Sequence, residues 1–495
     1  MKKKSFHFFL IFLLLIFYTQ SSYAKKSKIP SHPSEIKYKP LNWKVPLGSP
    51  YRTKLKNGLT VYIAEDNSLP LVTISGYYKT GTINDPLGKE GLGEFAVHLM
   101  RTGGTKEIPA EKLDDLIDHY AINFTFTMHQ TQLNVKVQFL SQYLDTALYI
   151  FDQILFHPAF EDTIMNKERE IAIQDIYHRF DNPEPVLNAA YQINMYPEEE
   201  NSRLSSEKSM NSITKNDLII FHKSVFNTEN AIYAVAGNFS KNDILNKFES
   251  MFSKPVNESP ATKFPLIDVS PKVKYLIVHK EISQAYVQIG LPFFKRPHRD
   301  YYSISIFNMI LGGSSFTSRL GTTIRSDEGL TYSIYSHAQT NYIFPATFYI
   351  NFFTKHSTVN KAISLTLKEV DKILKEGITK EEFKNAKKVL IESLPSMFRS
   401  KEDIVDTYAW NEYYNRSLDH FRVYPEKLKA LKIKDIRGAS KKHIDPDKFS
   451  FVIVGDTTEL FGAEASEGFS LKEKSGYAVI DPDMLYDPDI FKKSQ

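Results

Sequence analysis

The chain closes twice in the same way. "AIYAVAGNFSKNDILNKF" (231–248) and "FSFVIVGDTTEL" (449–460) each run from an apolar strand into Gly, then Asn or Asp, then a polar turn. A helix-rich stretch precedes each, "SITKNDLIIFHKSVF" in one case and "KIKDIRGASKKHI" in the other. Each half also opens with strands followed by a helix. Between them lies "SKPVNESPATKFPLIDVSPK" (253–272), where Pro255, Pro260, Pro265 and Pro271 make a stiff, poorly helical connector. This repetition constrains the chain to two copies of one unit of about 200–220 residues. The expected fold class is α+β: two homologous domains at 50–252 and 273–461, each a mainly antiparallel sheet with packed helices, joined by the Pro-rich linker 253–272.

Outside the repeat are three further segments. "MKKKSFHFFLIFLLLIFYTQSSYA" (1–24) has a basic start, an apolar run from Phe8 to Tyr18, and small residues before Lys25. This is the layout of a cleaved export signal. The apolar run is about 11 residues, short of the ~20 that a spanning helix needs. The expectation is an exported chain, most simply periplasmic if the source is Gram-negative, with no membrane attachment after cleavage; the alternative is an uncleaved anchor. Residues 25–49 read as an extended lead-in, and 462–495 as a C-terminal tail that packs on the body or meets a partner.

Charge and cysteine content exclude several classes. The signal carries three Lys and no acid, so the formal net charge of +4 becomes +1 in the mature chain. Nothing in that balance favours nucleic acid or an anionic membrane as partner. With no Cys, there are no disulfides and no thiolate ligands, and any metal must use His and carboxylates.

Within the first half, Lys56-Asn57-Gly58 marks a hairpin turn, followed by a strand in "LPLVTISGYYKTG". "INFTFTMHQTQLNVKVQFL" alternates at period two and predicts two strands. Residues 141–180 read as helix, stopped by the prolines of "FDNPEP".

The chemically pointed stretch is "GLGEFAVHLMRTGGT" (91–105), a Gly-rich entry into a short helix bearing Glu94 and His98. These are at i and i+4, on one helix face. In an H-x-x-E-H helix, two His at that spacing hold zinc and the intervening Glu deprotonates the bound water. Here the five residues are Glu94, Phe95, Ala96, Val97 and His98.

The surroundings closely resemble the insulinase/pitrilysin family of zinc peptidases. "LKNGLTVYIAED" looks like its first hairpin, and "YYKTGTINDPLGKEGLGEF" like its entry into the metal helix. "NKEREIAIQDIYHRFDNPEP" (166–185) looks like its second metal helix. By that register Glu168 matches a preceding Glu, and Asp175 occupies the place of the third ligand. The resemblance therefore implies a degenerate site. Val97 stands where the general base would be and cannot accept a proton; Glu94 replaces the first His ligand; His98 remains. Glu94 and His98 read as polar residues on a helix of the old fold, with a weak metal site of Glu94, His98 and Asp175, or unorthodox catalysis, as the alternatives.

The second half keeps more. "QAYVQIGLPFFKRPHRDYYSISIFNMILGGSSFTSRLGTTIRSDEGLTYSIYS" (284–336) resembles the family's second-domain signature. There an Arg, six residues, then Gly-Leu-x-Tyr-Ser supplies an Arg/Tyr pair that binds the substrate backbone. The matching residues are Arg325 and Tyr332, a permanent cation and a phenolic donor able to stabilise a developing oxyanion. Gly329 is expected to let the chain turn from helix into the strand bearing Tyr332. His178, His279, His298 and His337 show no metal-ligand spacing and read as structural or exposed.

The resemblance covers residues 50–460 and implies the mitochondrial-processing-peptidase-like fold, with four domains enclosing a cavity and hence a dimer of such short chains. It implies a subunit that is silent alone and lends Arg325 and Tyr332 to a homologous partner with an intact H-x-x-E-H motif. Zinc would belong to that partner, or bind weakly here, and the substrate would be a peptide. The alternatives are an active metalloendopeptidase using Glu94, His98 and Asp175, and a non-catalytic peptide-binding or structural protein.

Overall fold

The structure is a computed structural model that describes residues 30, 36, 42–196, 203–253 and 262–486. The expected signal (1–24), most of the lead-in and the end of the tail lie outside the described residues. By contacts the chain divides into Met1–Lys44 and Val45–Gln495. Of the first unit, residues 42–44 are irregular; both halves of the repeat belong to the second.

Two mixed sheets of six strands form the frame. The first comprises β1 (Arg52–Lys54), β2 (Thr60–Glu65), β3 (Leu71–Tyr78), β4 (Asn123–Met128), β5 (Leu133–Leu140) and β6 (Ala231–Gly237), in the order β1-β2-β6-β3-β5-β4. The second comprises β7 (Tyr275–His279), β8 (Ala285–Pro292), β9 (Ile334–Ala338), β10 (Thr347–Thr354), β11 (Ser450–Gly455) and β12 (Tyr477–Ile480), in the order β12-β7-β11-β8-β10-β9.

The two orders superpose strand for strand. β2 pairs parallel with β6 as β7 does with β11, and the remaining inner pairs are antiparallel in both sheets. β6 and β11, the strands that close each half, are buried along their whole length. Their unbroken apolar runs follow from cover on both faces. The sheets differ at one edge, where β1 lies antiparallel on β2 but β12 lies parallel on β7. β12 comes from the segment expected to be a tail.

Helices in the first half are α1 (Leu92–Thr102), α2 (Ala110–His119), α3 (Leu144–Phe156), α4 (Asp162–His178), α5 (Pro183–Met195), α6 (Glu207–Ser212), α7 (Lys215–Val225) and α8 (Lys241–Met251). Those in the second are α9 (Tyr301–Leu311), α10 (Val359–Glu376), α11 (Lys380–Glu392), α12 (Lys401–Tyr413), α13 (His420–Ala430), α14 (Ile433–His443) and α15 (Thr457–Gly462).

The helix expected over 141–180 is two helices. Pro158 and the left-handed Phe160 (φ +48°) separate α3 from α4. The prolines of "FDNPEP" open α5 rather than stopping a helix, because Pro183 sits in the first turn, where its missing N–H costs nothing.

α5 and α12 occupy equivalent places in the repeat, and each crosses to the other half. α5 packs on β7, β8 and β11, while α12 packs on β2, β3 and β6. Val186, Leu187 and Ala190 of α5 join Leu276, Val278, Val452 and Val454 in one buried cluster. Each such Val or Leu contributes about 1.5–3 kcal/mol by burial. Asn194 fixes the register of this packing, donating to Val273 O at 3.1 Å and Ser450 Oγ at 2.7 Å while accepting from Val273 N at 3.0 Å. On the other side, Tyr413 donates to Thr131 O at 2.5 Å and Lys136 meets Glu402 at 2.8 Å. The connector is held too: Ser270 N and Lys272 N donate to Met195 O and Asn194 O at the end of α5.

Candidate functional site

The entry into α1 is built on Asp85. Its buried carboxylate accepts from Gly91 N at 2.9 Å and Gly93 N at 3.0 Å. Burial pushes its pKa up to about 7, against the pull of those two N–H donors. Gly91 precedes the helix at φ +95°, a left-handed conformation that suits glycine. Leu92, Phe95, Ala96, Val97, Leu99 and Met100 face the core. That leaves Glu94 and His98 on the open stripe, one turn apart.

Opposite them stands α4. Glu94, His98, Glu168, Asp175 and Arg179 line one open recess of about 310 Å³. His98 Nε2 lies 2.7 Å from Glu168 Oε2, so the imidazole pairs with the earlier carboxylate of α4 and not with Asp175. Glu94 is exposed as a residue, yet desolvation in the recess raises its pKa, with Arg179 pulling the other way. Glu94, His98 and Asp175 do not bring their ligand atoms within 4.8 Å of one another, a spacing met among the described residues by one group elsewhere. As placed, the three do not fit a zinc ion. Val97 lines a second recess with Glu94, His98 and the edge strand β4, and offers no group that could take a proton.

Arg325 and Tyr332 come together in the second half. Arg325 rides on a wide helical turn, Gly321–Asp327. Gly329, at φ +62°, turns the chain back toward β9, but Tyr332 lies in the bend before that strand and not within it as expected. The Arg325 guanidinium carbon lies 5.3 Å from the Tyr332 ring centre and 3.8 Å from that of Phe316. Tyr332 and Phe316 are 76% and 70% exposed, so a large apolar and cationic surface faces solvent. Phe316 was not singled out from the sequence. The available signal was an aromatic residue in the otherwise small and polar run "GGSSFTS". Neither recess beside α1 is lined by Arg325 or Tyr332.

The group that does meet the ligand spacing is His298, Asp300 and His443. It corrects the expectation that His298 lacks such neighbours. Asp300 Oδ2 already receives His443 Nε2 at 2.8 Å and Lys442 Nζ at 3.3 Å, and His298 Nδ1 accepts from Asp300 N at 3.1 Å. An ammonium and a backbone amide thus fill the positions that a metal would need, and the group acts as an ion-pair network joining α9 to α14. No described helix is long and apolar enough to cross a membrane.

Comparison with known proteins settles the ancestry of this arrangement. Residues 60–204 match the family profile "Insulinase (Peptidase family M16)", and residues 212–390 match "Peptidase M16 inactive domain". The chain belongs to the insulinase family. Among its M16 relatives, "Non-peptidase homolog YmxG" of Helicobacter pylori is 24% identical over 400 residues, 80% of this chain and 91% of that protein. The M16 fold is shared with a solved "peptidase M16 inactive domain" from Pseudomonas fluorescens (TM-score 0.74, 21% identity, 82% of this chain and 97% of that one). It is also shared with the periplasmic protease PqqL of Escherichia coli (TM-score 0.70, 15% identity), where 85% of this chain covers 47% of the longer one.

Proposed function

We propose that this chain is a catalytically silent member of the insulinase family that lends Arg325 and Tyr332 to the peptide chamber of a zinc-bearing, homologous partner. The observation that carries the proposal is the separation of the two half-sites. Arg325 and Tyr332 form an exposed pair with Phe316. The residues at the metal-helix positions line recesses that this pair does not enter, and they include a valine where the base would be. One half-site is intact in kind and the other has lost its proton carrier, so the arrangement suits a division of labour between two chains. The match to about half of a longer periplasmic protease supports the idea that two such chains make one working body. Export to the periplasm by residues 1–24 belongs to the same proposal.

The test is reconstitution. The chain is purified alone and with a homologue carrying an intact H-x-x-E-H motif, the first candidate being the product of the neighbouring reading frame. Peptide cleavage is then followed in both samples. Chelator-sensitive cleavage that needs both chains is expected. Stoichiometric zinc with cleavage by this chain alone would overturn the proposal, as would failure of the two chains to associate.

A further inference from the structure

Arginines inside this fold have acceptors. Arg319 meets Glu382 at 2.7 and 3.0 Å, Arg203 meets Glu90 at 2.6 Å, and Arg179 donates to Ser205 O and Oγ at 2.7 and 2.6 Å. Two others depart from that rule. Arg296 follows β8 on the way to α9 and is 9% exposed. Its guanidinium carbon lies 3.6 Å from the ring centre of Tyr301 and 4.4 Å from that of Tyr342. Arg416, just past α12, lies 4.1 Å from the same Tyr342 ring and 5.0 Å from Tyr414. One phenol therefore carries two guanidinium groups. Among the described residues neither group has a hydrogen-bond acceptor or an ion-pair partner, and Arg416 Nε is buried with nothing to receive its proton.

Aromatic faces attract a guanidinium but leave its five N–H donors unanswered. Arg416 is half-buried, and of the two groups' nitrogens only its Nε is shut off from solvent without a partner, which is unfavourable. Here a second cation stands beside the first. Burial lowers the pKa of Arg416 and Arg296 lowers it further, while Tyr342, Tyr301 and Tyr414 pull the other way. His420, at the start of α13, is depressed to about 4, by burial first and then by Arg416 and Arg296.

We infer that Arg296 and Arg416 form a binding site for a small oxyanion, the phosphate or carboxylate group of a ligand, walled by Tyr301, Tyr342 and Tyr414. The planar fork of arginine matches both kinds of group. The site stands apart from Arg325 and Tyr332 and does not depend on the partner proposed above.

The experiment uses the full mature chain. Its unfolding temperature and binding heat are followed against sodium phosphate, sodium acetate and sodium chloride at matched ionic strength. A saturable rise with phosphate, acetate or both, absent with chloride, is expected. Phosphate alone identifies a phosphate source, and a response to acetate identifies a carboxylate source. Arg416→Gln should bind the effective anion at least tenfold more weakly while keeping its circular dichroism. Arg296→Gln should do the same, and if it fails to fold, Arg416→Gln decides alone. No saturable response beyond chloride, or a wild-type response in Arg416→Gln, would overturn the inference.

Discussion

Tyr62 donates its phenolic hydrogen to Glu412 across the seam between the two halves, at 2.6 Å. Arg52 closes on the same carboxylate through Nε at 2.8 Å and Nη2 at 2.7 Å. Burial alone would raise the pKa of Glu412, but the hydrogen bonds from Arg52 and Tyr62 outweigh it and hold the group below the usual range.

Removing that acceptor strands both donors. Glu412→Ala should cost about 1–3 kcal/mol, read as a lower urea midpoint with an unchanged slope. Because the folded pKa is depressed, the contribution of Glu412 is present above the unfolded value of about 4.5 and is lost as pH falls through the folded one. The gap between wild type and variant should therefore narrow toward acid. A gap constant with pH would mean that the ion pair contributes nothing to the seam.

Asp406, on the same helix, behaves in the opposite sense. Burial pushes its carboxyl up to about 6, against hydrogen bonds from Ser75 and Tyr77 and the charge of Lys136. The folded state then holds a proton that the unfolded state has released, so stability falls as pH rises from about 4 to about 6 and is flat above. Asp406→Asn should remove that part of the slope, measured as unfolding temperature against pH. An unaltered profile would place the proton elsewhere.

The Arg325 cluster is a test of function with little risk to the fold, since Phe316 and Tyr332 are exposed. In the reconstituted pair, Arg325→Ala should lower kcat/KM by about 10²-fold, in line with loss of one oxyanion donor. Tyr332→Phe should act in the same direction. Phe316→Ala should lower it less, by freeing the guanidinium it covers. Unchanged turnover in all three variants would remove the role assigned to the cluster.

At the metal-helix position the prediction is negative. After exposure to zinc and dialysis, the chain should retain well under one equivalent, measured by elemental analysis. Val97 is 4% exposed. Val97→Glu should thus lose about 1–3 kcal/mol through burial of an unmatched carboxyl, seen in the unfolding midpoint. Full zinc occupancy in the wild type would show that α1 and α4 rearrange around the ion.

Much of this fold is legible in local pattern. β6 and β11 announce themselves as unbroken apolar runs ending in Gly, and period two marks β4 and β5. Arg325 and Tyr332 are legible only through the resemblance of the stretch 284–336 to the family's second-domain signature, since an Arg and a Tyr with six residues between them say little by themselves. What the sequence conceals is set by distant partners. Nothing near residues 183–195 or 401–413 says which sheet those helices will cover. The same holds for Tyr477–Ile480, whose strand depends on an edge left open by Tyr275–His279. His98 pairs with Glu168, 70 positions away, instead of Asp175. That choice is made by how α1 and α4 pack, not by any motif.

The crossing of α5 and α12 has a mechanical consequence. Each half clasps the other, as two interlocked hands do, so the covalent connector is not what keeps them together. A cut between residues 254 and 261 would leave a nicked molecule that still travels as one particle. Either half made alone would expose a sheet face that its sibling was shaped to cover. The pair should melt in a single step, and the smallest heritable unit of this architecture is the duplicated chain.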